Sequence, residues 1–190
     1  MPNLYIIAGC NGSGKTTASF TVLPEMLDCQ EYINADEIAR GLSPFNPDKS
    51  AIEAGKIMLN KINNFLKRQI DFSIETTLAT RSYTNIIKKS RLLGYEITLV
   101  FFWLDSVELA KERVLTRVAE GGHGIPEATI ARRYSAGLRN LFELYIPICD
   151  YWMIFNNSNP KIELIAEGNF DTNLKIENNH IFETLKRYKR

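Results

Sequence analysis

The chain alternates between short apolar runs and longer stretches in which apolar residues recur every three or four positions. Residues 4–8 read as a short buried strand. Residues 97–104 (Ile-Thr-Leu-Val-Phe-Phe-Trp-Leu) are nearly continuous and apolar, as expected for a central parallel strand covered on both faces. Further strands are expected at about 31–34, 71–74, 151–155 and 162–166, the last antiparallel at an edge. Helical periodicity marks 17–27, 81–93 (stopped by Gly94), 106–118, 127–145 and 181–188. It also marks 48–68, where Ile52, Ile57, Leu59, Ile62, Phe65 and Leu66 recur at helical spacing. Asn46 or Asp48 is the expected cap there, with Pro47 near the first turn. Strands and helices alternate throughout, which predicts an α/β class with a mainly parallel sheet of five to six strands. A length of 190 residues suits a single domain with a substantial core. In such a sheet the loops carrying residues 9–16, Asp36 and Glu75 converge at the carboxyl ends of the strands.

Composition narrows the partners. A net charge of +1 gives no global attraction to nucleic acid or to an anionic membrane surface. No apolar run approaches the ~20 residues of a membrane span. Ile7-Ala8-Gly9-Cys10 looks like a lipoprotein cleavage site, but the ~7–15 apolar residues required before it are missing. Three cysteines (10, 29 and 149) without metal-ligand spacing suit a reducing, cytoplasmic setting. Cys10 is expected to be a tolerated small side chain rather than an oxidation sensor.

The first strand runs into Gly9-Cys10-Asn11-Gly12-Ser13-Gly14-Lys15-Thr16-Thr17, the pattern G-x-x-x-x-G-K-T in its strand–loop–helix context. Its glycines let successive N–H groups point inward as an anion nest, and the following helix adds its positive end. This makes residues 9–17 the nucleotide-binding segment. Lys15 is placed to reach the β- and γ-phosphates, and Thr16 to bind Mg²⁺.

Phosphoryl transfer also needs a group that activates the acceptor and cations for the migrating charge. Asp36, just past a strand, fits a catalytic base or equally a helix cap, a role Asn34 can also fill. Glu75 fits a ligand for substrate hydroxyls or metal-bound water, or an ordinary polar strand end. Asp105 ends a hydrophobic strand like a Walker B carboxylate, but Asp105-Ser106-Val107-Glu108 fits a helix start better. Arg113 and Arg117 share a helix face. After the Gly-rich stretch 121–124 come Arg132 and Arg133, so the arginine-bearing segment at about 113–133 reads as a helical lid. Adjacent arginines lie about 100° apart on a helix, so one of the pair is expected to face the cleft. His123 reads as a loop residue, with no partner at ligand spacing.

Four segments, taken in order, resemble the zeta-toxin-like P-loop kinases. They are Tyr5 to Gly9 with Gly12 to Thr17, Ile33-Asn34-Ala35-Asp36-Glu37-Ile38-Ala39, Phe72-Ser73-Ile74-Glu75-Thr76-Thr77-Leu78, and the set Arg113, Arg117, Gly121-Gly122-His123, Arg132-Arg133-Tyr134. The resemblance implies a three-layer P-loop kinase fold, ATP and Mg²⁺ as cofactors, and a small-molecule acceptor, UDP-N-acetylglucosamine in the best-known members. It implies Asp36 as catalytic base, Glu75 and Thr77 as sugar-side contacts, and Arg117 with Arg132 or Arg133 as phosphate-facing lid residues. It favours capping for Asp105 and brings in an antitoxin protein as a candidate partner. The chain departs from the family pattern at Cys10, where proline is more usual, and at Ile38-Ala39-Arg40, where an aromatic-Arg pair is more usual. Two other readings compete. One is a polynucleotide 5′-hydroxyl kinase, against which the neutral charge and the lack of an aromatic-basic strip argue. The other is a nucleotide-gated binding module; no Leu-Ser-Gly-Gly-Gln stretch of the ABC kind is present.

Overall fold

The most apolar segments occupy the middle of a seven-stranded sheet of order β2-β3-β1-β4-β5-β6-β7. The structure is a computed structural model that describes residues 1–122, 124–169 and 174–189. β1 (Asn3–Gly9) lies between β3 (Phe72–Thr76) and β4 (Glu96–Trp103), parallel to both. β2 (Tyr32–Ile33) extends the sheet beyond β3 and β5 (Tyr151–Asn156) beyond β4, again in parallel. β6 (Glu163–Asn169) and β7 (Leu174–Ile176) add an antiparallel edge.

Alternation along β1 and β4 sorts their side chains to two faces. Leu4, Ile6 and Ala8, with Ile97, Leu99, Phe101 and Trp103, join the main core. There they meet Met58, Ile62, Phe65 and Leu66 of α3 (Ala51–Arg68), Ile87 of α4 (Tyr83–Leu92), Val114 of α5 (Val107–Ala119) and Leu138 of α6 (Glu127–Asn140). Tyr5, Ile7, Val100 and Phe102 face the other way, where Ala18 of α1 (Lys15–Met26) packs. The sheet is therefore the middle of three layers, as the family resemblance implies. Chain neighbours of β1 go to opposite sides of it, and the crevice at that switch point lies at the carboxyl ends of the strands. Among the described residues, no helix is long and apolar enough to cross a membrane.

Four details differ from the sequence reading. Among the described residues β7 brings the strand count to seven rather than five or six; its Leu174-Lys175-Ile176 alternation is only three residues long and wholly exposed, too short a pattern to announce a strand. In α3 the buried stripe is Ala54, Met58, Ile62, Phe65 and Leu66, while Ile52 is 79% exposed and Ile57 and Leu59 also reach solvent. Pro47–Ser50 forms a separate 3₁₀ turn, and neither Asn46 nor Ser50 caps through its side chain. The helix expected at 127–145 is regular only to Asn140; Leu141–Tyr145 is a π turn closed by Ile146 N–H donating to the Leu141 carbonyl. Gly94, by contrast, sits at φ +83° directly after α4 and its terminal turn, the left-handed stop expected there.

Candidate active site

The phosphate-type loop is built by β1 ending where α1 begins. Gly9 pairs with Phe102 at the top of the sheet, and α1 starts at Lys15, so its first N–H groups lack helical partners and face the loop. Gly12 shows why the sequence needs glycine here. It lies at φ +79°, and a Cβ would stand 2.8 Å from the Ala110 carbonyl oxygen of α5. Lys15 is only 6% exposed; its Nζ donates to the Cys10 carbonyl at 2.7 Å and lies 3.9 Å from Glu75 Oε1. The Thr16 hydroxyl donates to Glu75 Oε2 at 2.9 Å. Glu75, at the end of β3, thus meets both the Lys15 and the Thr16 side chain.

The second strand end completes the group. Tyr32 of β2 donates its hydroxyl to Glu75 Oε2 and accepts from Asn34 Nδ2 at 3.1 Å. Burial, and then the Glu75 charge, raises the Tyr32 phenol, which keeps it a proton donor. Asn34 Oδ1 caps α2 (Ala35–Leu42) by accepting from the N–H groups of Asp36 at 2.8 Å and Glu37 at 3.4 Å. The Asp36 carboxylate is therefore not the cap and projects, exposed, into the cleft. Similarly, the cap of α5 is Ser106, whose hydroxyl accepts from Leu109 N–H at 3.3 Å and donates to Asp105 Oδ1 at 3.0 Å. Asp105 supports that cap from outside the cleft rather than making it; it borders neither cavity described below.

Two adjoining cavities, each of about 340 Å³, open over these residues. The first runs along Gly12, Gly14, Thr16 and Thr17 and is bordered by Arg40, Asp48, Arg113 and Arg117. The second is walled by Thr76, Thr77, Thr80, Tyr83, Arg132 and Arg133. Asn11, Lys15, Asn34, Asp36 and Glu75 border both and so form the seam.

The arginines divide between the two. Arg113 and Arg117 border the first cavity, and Arg113 donates to the carbonyls of Asn157 and Ser158 at 2.8 and 3.0 Å. Asn157 in turn donates to the Ser13 carbonyl at 2.8 Å, which ties the turn after β5 to the phosphate-type loop. Both Arg132 and Arg133 border the second cavity, where spacing alone predicts one. Both side chains are long enough to reach the cavity from adjacent positions, and Arg133 also donates to Asn11 Oδ1 at 3.2 Å. His123 lies outside the described residues. Cys10 is buried, and burial pushes its thiol up to about 11 despite nearby Lys15. Tyr32, Asn157 and Asn11's arginine contact escape a sequence reading. Only Asn157 leaves a signal, an Asn-rich turn at the same sheet edge.

No cluster of three or more His, Cys, Asp or Glu suited to a metal occurs among the described residues. The oxygen donors here, the Thr16 hydroxyl of the first cavity and the Glu75 and Asp36 carboxylates of the seam, are instead hard ligands few in number. That donor set suits Mg²⁺, which takes one or two protein oxygens and fills its shell with phosphate and water.

The family model for zeta toxin matches residues 1–159. The chain belongs to the zeta toxin family. An uncharacterised protein of Haemophilus influenzae is 33% identical over 127 residues, which is 66% of this chain and 88% of that protein. Among solved structures, AvrRxo1-ORF1:AvrRxo1-ORF2 with sulphate ions superposes with a TM-score of 0.78 at 17% identity. That match covers 97% of this chain, which spans only 63% of the length of the other. The same assembly has also been solved with ATP, at a TM-score of 0.74 and 16% identity. A structure from the PezAT chromosomal toxin-antitoxin system of Streptococcus pneumoniae matches at 0.72 and 18% identity, covering all of this chain and 78% of that one. At these identities the structural likenesses establish the fold alone.

Proposed function

We propose that the protein is an ATP- and Mg²⁺-dependent kinase that phosphorylates a hydroxyl of a small molecule, with UDP-N-acetylglucosamine the first acceptor to test. One observation carries the reading: Asp36, Lys15 and Glu75 stand on the seam between two cavities, one on the phosphate-type loop and one on a wall of hydroxyls and arginines. A transferase needs a donor and an acceptor that meet at a base, and a plain ATPase has no use for the second cavity.

In this reading the triphosphate lies along Gly12 to Thr17. Lys15 exchanges its bond to the Cys10 carbonyl for the β- and γ-phosphates. Thr16 would hold a Mg²⁺ ion, which when bound would supply charge neutralisation at the phosphates. Asp36 takes the proton from the acceptor hydroxyl as its oxygen bonds to the γ-phosphorus and the bond to the β-phosphate oxygen breaks, leaving ADP. Arg117, Arg132 and Arg133 offset the charge on the migrating group, and Glu75 and Thr77 hold the acceptor's hydroxyls. Arginines and threonines together suit an acceptor that is both anionic and hydroxyl-rich, as a sugar nucleotide is. A site of this kind works in the cytoplasm, where ATP is abundant. An antitoxin joins the proposal as a partner, supported by family membership and by the toxin-antitoxin system to which the pneumococcal neighbour belongs.

An acceptor panel tests the proposal. The chain is incubated with γ-labelled ATP and Mg²⁺ together with UDP-N-acetylglucosamine, free N-acetylglucosamine or a 5′-hydroxyl oligonucleotide. Label is expected on the sugar nucleotide. Label on the oligonucleotide alone would move the protein to the polynucleotide kinases, and label on none of them would remove the kinase reading.

A further inference from the structure

The loop that carries Thr77 does not hold its own shape. Leu78 sits at φ +55°, a left-handed conformation that bulky side chains adopt rarely and keep only where the surroundings impose it. Inside the loop the bonds are short-range: Leu78 N–H donates to Thr76 Oγ1 at 3.1 Å and Ala79 N–H to Thr77 Oγ1 at 3.5 Å.

The external restraints come from one continuous helical stretch, α6 and the π turn after it. Asn140 Nδ2 donates to the Leu78 carbonyl at 2.6 Å, and both residues are buried. The Tyr145 hydroxyl donates to the Thr80 carbonyl, also at 2.6 Å. Gly137 lets the α6 backbone come so close that a Cβ would stand 2.5 Å from the Thr77 carbonyl oxygen. Residues five apart on a regular α-helix point about 140° away from each other. The wider turn over Leu141–Tyr145 brings Tyr145 round to the same loop as Asn140. The helix that makes these contacts also presents Arg132 and Arg133 to the cavity Thr77 lines, and through Arg133 it holds Asn11 of the phosphate-type loop.

We propose that Asn140 and Tyr145 are positioning residues for the acceptor. They fix the Thr77 loop opposite Asp36 and keep that wall in register with the arginine pair on the same helix. Neither side chain borders either cavity, so both act through the loop rather than on substrate. The inference rests on the kinase reading of the site.

The test compares wild type, Tyr145→Phe and Asn140→Leu in steady-state kinetics with ATP and the most active acceptor of the panel above, alongside ATP affinity and thermal melting. Displacing a positioning wall should raise the acceptor KM about tenfold or more while ATP affinity stays within about twofold. An unchanged acceptor KM, or acceptor and ATP binding falling together, would overturn it. Tyr145→Phe deletes a single hydroxyl and carries the test alone if Asn140→Leu does not fold. The two levels of failure are distinct. Wild type that labels no acceptor ends the kinase reading and this inference with it. Active wild type with variants that match it ends this inference only.

Discussion

Asp36 is available for chemistry because Asn34 does the work that a helix N-terminus would otherwise ask of it. Its Oδ1 holds the N–H groups of Asp36 and Glu37 and its Nδ2 reaches Tyr32. Replacing Asn34 with Ala should cost about 1 kcal/mol of stability, read as a lower melting temperature, because a side-chain cap is lost. Turnover should fall as well, since the freed N–H groups then compete for the Asp36 carboxylate; unaltered melting would show that the cap contributes nothing. Cys10 makes the opposite kind of prediction. With its thiol pushed up to about 11 by burial, only roughly one molecule in a thousand carries the thiolate at pH 8, so iodoacetamide should label the native chain slowly and the unfolded chain fast. Fast native labelling at Cys10 would contradict this. At this scale the loop residues, Lys15 and Thr16 are legible because their spacing encodes the strand–loop–helix turn itself. Asp36 is only half legible, since a cap and a cleft-lining carboxylate look alike until the rival cap is seen engaged. Tyr32 is not legible at all, because its partner Glu75 comes to it from another strand 43 positions away.

Elements succeed or fail as readings according to what they bury. The strands with both faces covered, β1 and β4, declare themselves as apolar runs, and the exposed β7 does not. In α3 the sequence offers more apolar residues than the helix buries, so periodicity alone picks Ile52, Ile57 and Leu59 with Ile62, Phe65 and Leu66, and passes over the buried Ala54 and Met58. The distinction is measurable. Ile62→Ala should destabilise by about 2–5 kcal/mol through a core cavity, and Ile52→Ala by no more than about 0.5 kcal/mol, in urea unfolding. Equal effects would mean that the helix faces the sheet differently. The turn between β1 and α1 behaves as an element too. A Cβ at Gly12 meets the α5 backbone and an unfavourable φ at once, so Gly12→Ala should weaken ATP binding at least about tenfold by calorimetry. Full affinity in that variant would show that the loop does not cradle phosphate.

For the whole molecule, alternation of strand and helix suffices to foresee a mainly parallel sheet, and with it the edge where the loop before α1, Asp36 and Glu75 meet. What it cannot foresee is how α6 serves that edge, because the clamp on Thr77 depends on a π turn that no periodicity marks. Burial also gives the molecule a common alkaline weakness. It raises the thiols of Cys10 and Cys149 and the phenols of Tyr32, Tyr134 and Tyr145. Each raised acid stays protonated in the folded chain after the unfolded chain has lost its proton. The stability they contribute is thus complete below the ordinary thiol value of 9.0 and drains away as pH climbs through about 11 and beyond. The urea midpoint should accordingly drop between about pH 8 and about pH 10.5, and a rising midpoint would reverse the sign. The assignment of Asp36 as the base at the seam faces its most direct test in one measurement: transfer of labelled γ-phosphate from ATP to the acceptor panel by wild type and Asp36→Asn, with ATP affinity determined for both. Wild type should label an acceptor, and Asp36→Asn should lose about 10²–10⁴-fold in transfer while binding ATP as before. Undiminished transfer by Asp36→Asn, or label passing from wild type only to water, would contradict it.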